Sequence, residues 1–544
     1  MALLELLGDV SSIVHNSPYS SLLALVLVSL VVVHVVPWFR DALNLRVYPG
    51  PWMAQFSDMW LTRIAFGGHR SEVVESLHDL YGPFVRIAPN HVSISAPEAL
   101  EMVYGHGAGA PKTDFYEYYV AASTSIVSAR SRVVHARKRK IVSHVFSPRT
   151  ISEFEPLISS HVAELLTQLD SICEKGRHGF EGDESTGWVS SDGRVWLDIV
   201  PWLAYVVFDI IGDLAFGSPF GMVKAGKDVV AVAASNEKTM GSYGKDAAPT
   251  ATVDLPAIRL LRGRSDFNTV IGVIPIHWRP FIVRFVPWFS RGHKCVASLA
   301  GIAAISVSKR LADPESRPDF LTRLLQGKDD EGNPLCAEEL TAESMTLLTG
   351  GSDTIFNTLA SIVHHIAANP RCQDTLRKEL TGAIGADGDA VCSFADVKNL
   401  SYLEACVNEA MRLHSTFGIG LPREVPEGGL TIRGHTLLPG TVVSVPTYTV
   451  HRDVNVWGLD AHEFRPEHWL EEGASTRAKY FAPFSIGPRA CVARNLAIME
   501  VLIIIGSLVR RYDFVLEDPK APIERHEGVV TAVWQCKVGV KRRL

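Results

Sequence analysis

The sequence has no C-x-x-C pair. Its eight cysteines, Cys173, Cys295, Cys336, Cys372, Cys392, Cys406, Cys491 and Cys536, are scattered, which excludes a disulfide scaffold or a zinc site and predicts a reducing compartment. No internal repeat and no alternation of strand and helix patterns occurs, so a solenoid and a doubly wound sheet are excluded. No G-x-G-x-x-G follows a strand pattern, so the chain has no flavin or nicotinamide fingerprint of its own. Excess charge is missing too. With 53 basic against 59 acidic side chains the formal net charge is −6 and the pI is near 6.4, which argues against a protein built to bind nucleic acid. Hydrophobic residues make up 47 % and charged residues 21 %, an ordinary globular composition rather than a disordered one. A linker between folded halves is lacking across all 544 residues, which predicts one large domain.

One absence is positional. Val10 to Phe39 contains no Asp, Glu, Lys or Arg, and Leu22 to Val36 is apolar apart from Ser29 and His34. Such a run is long enough to cross a bilayer as a helix at about residues 19–39. Glu5 and Asp9 precede it, and Arg40 and Arg46 follow. The positive-inside rule then leaves the body in the cytosol behind an uncleaved signal-anchor. A cleaved leader would need a basic start and small residues at a cleavage site, whereas this chain has acids and then Pro37-Trp38-Phe39. Residues 1–48 therefore read as the membrane anchor leading into a proline hinge at Pro49-Gly50-Pro51, and residues 49–544, which begin with that hinge, as the catalytic domain.

The body is predicted to be mainly α with small β-sheets, an α+β fold. Phe84-Val85-Arg86-Ile87 and Val92-Ser93-Ile94 read as a hairpin, long helical patterns follow to about residue 415, and Leu421 to Pro446 returns to short β-branched runs. Glu174 to Asp192 and Ser235 to Ala248 are polar and glycine-containing and read as exposed loops.

Chemistry concentrates near the C-terminus. Phe484-Ser485-Ile486-Gly487-Pro488-Arg489-Ala490-Cys491-Val492-Ala493 precedes an apolar helix pattern through Leu496, Met499, Leu502 and Ile505. A cysteine at a helix mouth beside Arg489 is expected to be held as thiolate, with Gly487 allowing a turn that aims backbone N–H groups at the sulfur. A thiolate is a natural axial ligand for haem iron. Upstream, Thr341 to Asn369 reads as one helix of 29 residues capped by Thr341, spanning roughly 43 Å. Its middle, Gly350-Gly351-Ser352-Asp353-Thr354, is weak in helix propensity and predicts a local opening beside an acid and a hydroxyl able to pass protons. Glu409 and Arg412 stand at i, i+3 on one helix face. Arg130 to Lys140 holds seven Arg, Lys or His residues among eleven.

These motifs resemble the cytochrome P-450 superfamily of haem-thiolate monooxygenases, whose signature is F-x-x-G-x-R-x-C-x-G. The resemblance implies haem b with Cys491 as axial ligand, Phe484 and Gly487 shaping the loop, and Arg489, His135, Arg139 and Arg423 facing the propionates. It implies oxygen activation by Gly351, Asp353 and Thr354, and a buried Glu409–Arg412 pair locked from a later P-E-R-F/W segment. Three departures stand out: Ala493 replaces glycine, His135 replaces tryptophan, and His468, in Phe464-Arg465-Pro466-Glu467-His468-Trp469, replaces arginine. Ala493 is expected to have a small effect, and His468 to donate a single hydrogen bond into the pair. Arg137, Lys138 and Lys140 are expected to point elsewhere and meet an acidic electron donor.

Longer stretches resemble fungal benzoate 4-monooxygenases, among them Val85 to Asn90, Val103 to Gly107, His135 to Ser147, Phe208 to Gly217, His414-Ser415-Thr416 and Leu421 to Glu424, within a likeness covering most of residues 75–544. This implies para-hydroxylation of benzoate, or O-dealkylation of alkoxybenzoates or methoxylated stilbenes. A larger apolar terpenoid or polyketide is the alternative substrate, and a haem-thiolate isomerase or dehydratase the alternative enzyme. An aromatic acid needs an apolar slot and an anion partner. Phe115, Tyr116, Phe417 and Ile419 are candidates for the first, alongside Tyr118 and Tyr119, and Lys112 for the second. The resemblance further implies dioxygen as co-substrate, a separate NADPH-cytochrome P-450 reductase, cytochrome b5 as an alternative donor, and a single-pass location in the endoplasmic reticulum membrane.

Overall fold

The computed structural model describes residues 18–120, 123–182, 187–233, 252–312, 319–385 and 389–543. The predicted loop at Ser235 to Ala248 lies outside them. At the N-terminal end, α1 (Pro18–Leu30) continues through a π-helical turn (Val31–Val35) into α2 (Val36–Arg40). The large apolar side chains Leu22, Leu23, Leu25, Val31, Val32 and Val33 are all more than 50 % exposed. The end of this segment is tied to the body, where His34 Nδ1 bonds the Phe56 carbonyl at 2.9 Å and Trp38 Nε1 donates to Gln55 Oε1 at 3.0 Å. The expected hinge is likewise laid against the body, with the Arg86 amide donating to the Pro49 carbonyl at 2.8 Å.

The body's helical core is built from α3 (Arg70–Tyr81), α4 (Arg132–Ser143), α5 (Pro148–Arg177), α6 (Ile199–Phe216), α7 (Ala257–Val273), α8 (Pro287–Ala312), α9 (Ala337–Ala368), α10 (Ser401–Leu413) and α11 (Arg494–Arg511). Among the described residues α6 alone is long and apolar enough to span a bilayer by length and composition, yet nearly all of it is buried inside the protein. It is apolar all round because α5 and α9 pack against it. The central helix α9 starts at Ala337, four residues before the predicted start. Cys336 caps it, with a reciprocal bond from its own amide to Glu339 at 3.3 Å. Thr341 lies inside the first turns and back-bonds to the Ala337 carbonyl at 2.9 Å. The sequence reading took the first hydroxyl for the cap, whereas a cysteine with glutamate at N3 fills that role.

The sheets are small, as predicted. β1 (Phe84–Ala88) and β2 (His91–Ile94) form the expected antiparallel hairpin, while β3 (Val189–Ser191), β4 (Arg194–Asp198), β5 (Val230–Ala233) and β6 (Thr252–Leu255) form two further antiparallel pairs. Leu421 to Pro446 yields β7 (Arg423–Glu424), β8 (Leu430–Ile432), β9 (His435–Leu437) and β10 (Val442–Ser444). β10 pairs in parallel with β2 and antiparallel with β7, giving the order β1-β2-β10-β7. At the C-terminus β11 (Tyr512–Leu516), β12 (Glu524–Glu527), β13 (Thr531–Gln535) and β14 (Lys537–Arg542) follow, and β11-β14-β4-β3 makes the second four-stranded sheet. Glu174 to Asp192 is not one loop: α5 runs on to Arg177, and β3 begins at Val189.

Candidate active site

Between α9, the segment before α11 and the first sheet lies a cavity of about 300 Å³. Cys491 borders it, exposed to the cavity but deep below the outer surface. The loop that presents it is strained in a defined way. Ser485 and Gly487 both adopt positive φ, 57° and 69°, and a Cβ on Gly487 would sit 2.2 Å from the Tyr104 carbonyl oxygen. Glycine is therefore required there both by backbone conformation and by close approach. The Cys491 amide closes the loop on the Phe484 carbonyl at 2.8 Å. Burial raises the thiol above its ordinary value, opposed by the Ala493 amide and the charges of Arg139 and Arg494. Arg489 is not among these stabilisers. Its Nη1 donates to the Ala129 carbonyl at 2.5 Å and its Nη2 to the Arg130 carbonyl at 3.0 Å, which corrects the expectation that it steadies the sulfur. Ala493 caps α11 at φ −91°, ψ 10°, a conformation open to alanine, so the departure from glycine carries no backbone strain.

α9 forms another wall through Gly350, Gly351, Thr354 and Thr358. The expected opening in this helix is absent, since residues 337–368 are continuously α-helical. Thr354 Oγ1 donates to the Gly350 carbonyl at 2.8 Å. Gly351 serves close helix packing, because a Cβ there would lie 2.7 Å from Ile211 Cδ1 on α6. Asp353 points away from the cavity and is buried. Its Oδ1 accepts from Asn357 Nδ2 at 3.1 Å, and its Oδ2 has no partner. Burial pushes its pKa up to about 6 against the pull of Arg264 and Arg262.

At one end of the cavity stand Lys112, His135, Arg139, Arg423 and Arg489. Among the described residues none of these basic side chains meets a carboxylate there. Lys112 Nζ donates to the Val127 carbonyl at 2.5 Å, Arg139 to the Ala490 carbonyl, and Arg423 Nη1 to Tyr116 Oη at 2.6 Å. Burial and this crowding hold Lys112 well below its usual range and push His135 down to about 3 and Arg489 to about 10. Cations so gathered without acids call for an anionic occupant. The rest of the basic run behaves otherwise than expected. Arg137 pairs with Asp329 and Glu339, both at 2.8 Å, buried Lys138 with Glu339 at 2.8 Å, and Lys140 with Asp330. Lys138 is thus buried within the fold, whereas Arg137 and Lys140 are paired at the surface.

The Glu409–Arg412 pair is fully buried and bidentate, with Nη2 to Oε1 at 2.7 Å and Nε to Oε2 at 2.9 Å. Arg412 also donates to the carbonyls of His451, Ala461 and Glu463. His468 makes two bonds rather than the single one expected, from Nδ1 to Glu409 Oε1 at 3.0 Å and from Nε2 to Asp460 Oδ1 at 3.2 Å. Burial would lower its pKa, but the two carboxylates prevail and raise it. An imidazolium between two acids thus does the work expected of a guanidinium.

Of the candidate substrate residues, Lys112, Tyr116 and Phe417 border the cavity, together with Tyr119. Phe115 and Ile419 do not, and pack together in a buried cluster with Val529. The cavity face of α9 also includes Glu343, Thr346 and Leu347, which the sequence reading missed. Their signal was the helical spacing from Glu343 through Leu347 and Gly350 to Thr354 and Thr358. A single cysteine on one wall, apolar flanks and unpaired cations at one end suit a flat apolar macrocycle bearing carboxylates, as haem does.

The Cytochrome P450 family profile matches residues 49–538. Benzoate 4-monooxygenase bphA of Aspergillus niger is 41 % identical over 537 residues, covering 97 % of this chain and 98 % of the relative. Cytochrome P450 monooxygenase ORF11 of Penicillium roqueforti is 32 % identical over 86 % of this chain and 89 % of its own length. The trichothecene C-15 hydroxylase of Fusarium sporotrichioides is 29 % identical over 87 % and 88 %. Likeness of this extent, running through the whole catalytic body, places the chain in the cytochrome P450 family, as a monooxygenase with a cysteine-ligated haem.

Proposed function

We propose that this monooxygenase acts on small aromatic acids, by para-hydroxylation of benzoate or O-dealkylation of alkoxybenzoates and methoxylated stilbenes. The observation that carries the reading is the end-to-end likeness to a protein named benzoate 4-monooxygenase, with an apolar cavity bordered by Tyr116, Tyr119 and Phe417 in support. Cys491 would hold the haem iron through its sulfur in this reading. Arg139, Arg423, Arg489 and His135 receive the haem carboxylates, and Lys112, first considered for a substrate carboxylate, joins them on the ground of its position. When bound, the haem supplies the reductive activation of dioxygen, which places one oxygen atom in the substrate and releases the other as water.

The chain's own residues then manage protons and water. Asp353, with its pKa raised to about 6, can take up and release a proton at its unpartnered Oδ2, and Thr354 Oγ1, on the adjacent cavity face, exchanges its bond to the Gly350 carbonyl for one into the cavity. Gly350 and Gly351 leave room beside that hydroxyl. Electrons come from a separate NADPH-dependent reductase, with cytochrome b5 as an alternative donor. The exposed apolar segment Pro18–Arg40 is the single-pass anchor, holding the body on the cytosolic face of the endoplasmic reticulum. The test is an absorbance titration of the ferric protein with benzoate and then 4-methoxybenzoate. A saturable shift from low to high spin is expected, and a haem-thiolate spectrum unmoved by either acid would sink the substrate assignment.

A further inference from the structure

A second cavity, of about 280 Å³, lies next to the first and is bordered by Arg70, His91, Asn90, Thr113, Phe115 and Val273. Arg70 is the first residue of α3 and is 1 % exposed. Its Nε and Nη1 have no hydrogen-bond partner among the described residues. Burial lowers its pKa to about 10, so it remains a cation at any physiological pH. A buried guanidinium without an acceptor is costly and uncommon, because its hydration has been removed and nothing has replaced it.

The neighbouring charges do not answer that need. Glu527, the acid that bears most on Arg70, has both oxygens committed to Ser71, with the amide donating to Oε2 at 2.6 Å and the hydroxyl to Oε1. Burial also raises the Glu527 pKa, which weakens it as a counter-charge. His91 engages Ser444 Oγ through Nε2 at 2.8 Å, and burial with Arg70 pushes it down to about 3, so it is neutral. Asp114 is neutralised by Arg279 Nη2 at 3.0 Å, and Asp58, the remaining acid of the cavity, lies within reach of that pair. The rings of Phe115, Tyr116 and Tyr119 form the partition. Phe115 faces the second cavity while Tyr116 and Tyr119 face the first, and its centroid is 5.4 Å and 6.0 Å from theirs.

We propose that Arg70 is the carboxylate-binding residue for anionic aromatic substrates, which it holds in this second cavity against the aromatic partition before they reach the catalytic one. This rests on the small-aromatic-acid reading given above. A guanidinium left without an acceptor at the edge of a cavity is a charge-assisted donor for a carboxylate, and the adjoining Phe115 and Val273 supply an apolar face for the ring.

The test compares benzoate with methyl benzoate, its neutral ester, on the ferric holoenzyme, following the spin shift and, by equilibrium dialysis, total binding. Arg70→Met is expected to weaken benzoate at least tenfold and leave methyl benzoate within twofold, with Arg70→Lys intermediate. Equal benzoate affinity in wild type and Arg70→Met would overturn the assignment. So would a parallel loss of both ligands in Arg70→Met and Arg70→Lys, the signature of a structural role. If wild type shows no spin shift with either ligand but dialysis finds Arg70-dependent benzoate binding, the substrate reading fails and the anion site stands.

Discussion

Single atoms decide much at this site. Thr354 Oγ1 faces the cavity, and Asp353 Oδ2 is buried without a partner among the described residues, so the pair combines an accessible hydroxyl with an acid whose pKa is raised to about 6. Thr354→Ala is expected to keep the ferric haem absorbance while lowering product formed per NADPH oxidised by about 10²-fold, the usual worth of a positioned proton donor. Unchanged coupling would remove Thr354 from the proton path. Gly487 is constrained twice, by a φ of 69° and by the Tyr104 carbonyl 2.2 Å from where a Cβ would stand. Gly487→Ala should cost about 1–3 kcal/mol in backbone strain alone, displace the loop that presents Cys491, and show as a lower haem-to-protein absorbance ratio in the purified protein.

Among the elements, α10 and the segment from Asp460 to Trp469 form a clasp whose strength depends on pH. Glu409 is held at about 2, since bonds from Arg412 and His468 outweigh the effect of burial. Its contribution is present above the unfolded value of 4.5 and fades only as pH falls toward 2. His468 has the opposite sign. Its pKa is raised above 6.5 in the folded protein, so its contribution is complete below 6.5 and is lost as pH rises through the folded value. His468→Arg should therefore flatten the fall in thermal stability as pH rises above 6.5, by about 1.5–3 kcal/mol, the worth of a hydrogen bond to a charged group. Parallel stability curves for the two proteins would mean that the histidine is uncharged throughout. Glu409→Gln leaves Arg412 buried and uncompensated and is expected to cost about 3–5 kcal/mol, measured as loss of haem on mild heating.

At the scale of the whole molecule, the apolar segment Pro18–Arg40 is exposed along much of its length but docked at His34 and Trp38. Removal of residues 1–48 should move the protein from the membrane pellet to the supernatant with its haem absorbance intact, and a truncated body that still sediments with membranes would reveal a second lipid contact. The motifs legible in the sequence are those whose parts are contiguous or on one helix turn: the loop around Cys491, the glycine pair with Asp353 and Thr354, the Glu409–Arg412 pair, and the β1–β2 hairpin. Local backbone geometry and helical spacing suffice to specify them. The four-residue error at the start of α9 arose because a cysteine cap with Glu339 is a weaker sequence signal than a threonine. Other features were out of reach for a different reason. That Arg137 and Lys138 are spent on Asp329 and Glu339, that Lys112 joins Arg423 and Arg489, that Phe115 and Tyr116 face different cavities, and that Arg70 has no acceptor all depend on which distant segments meet. The sequence by itself determined the cysteine loop, the helix bearing the oxygen-side residues, and the family; only the tertiary structure decided which charges are paired and which are left facing a cavity, because pairing is a matter of distance in space and carries no local signature along the chain.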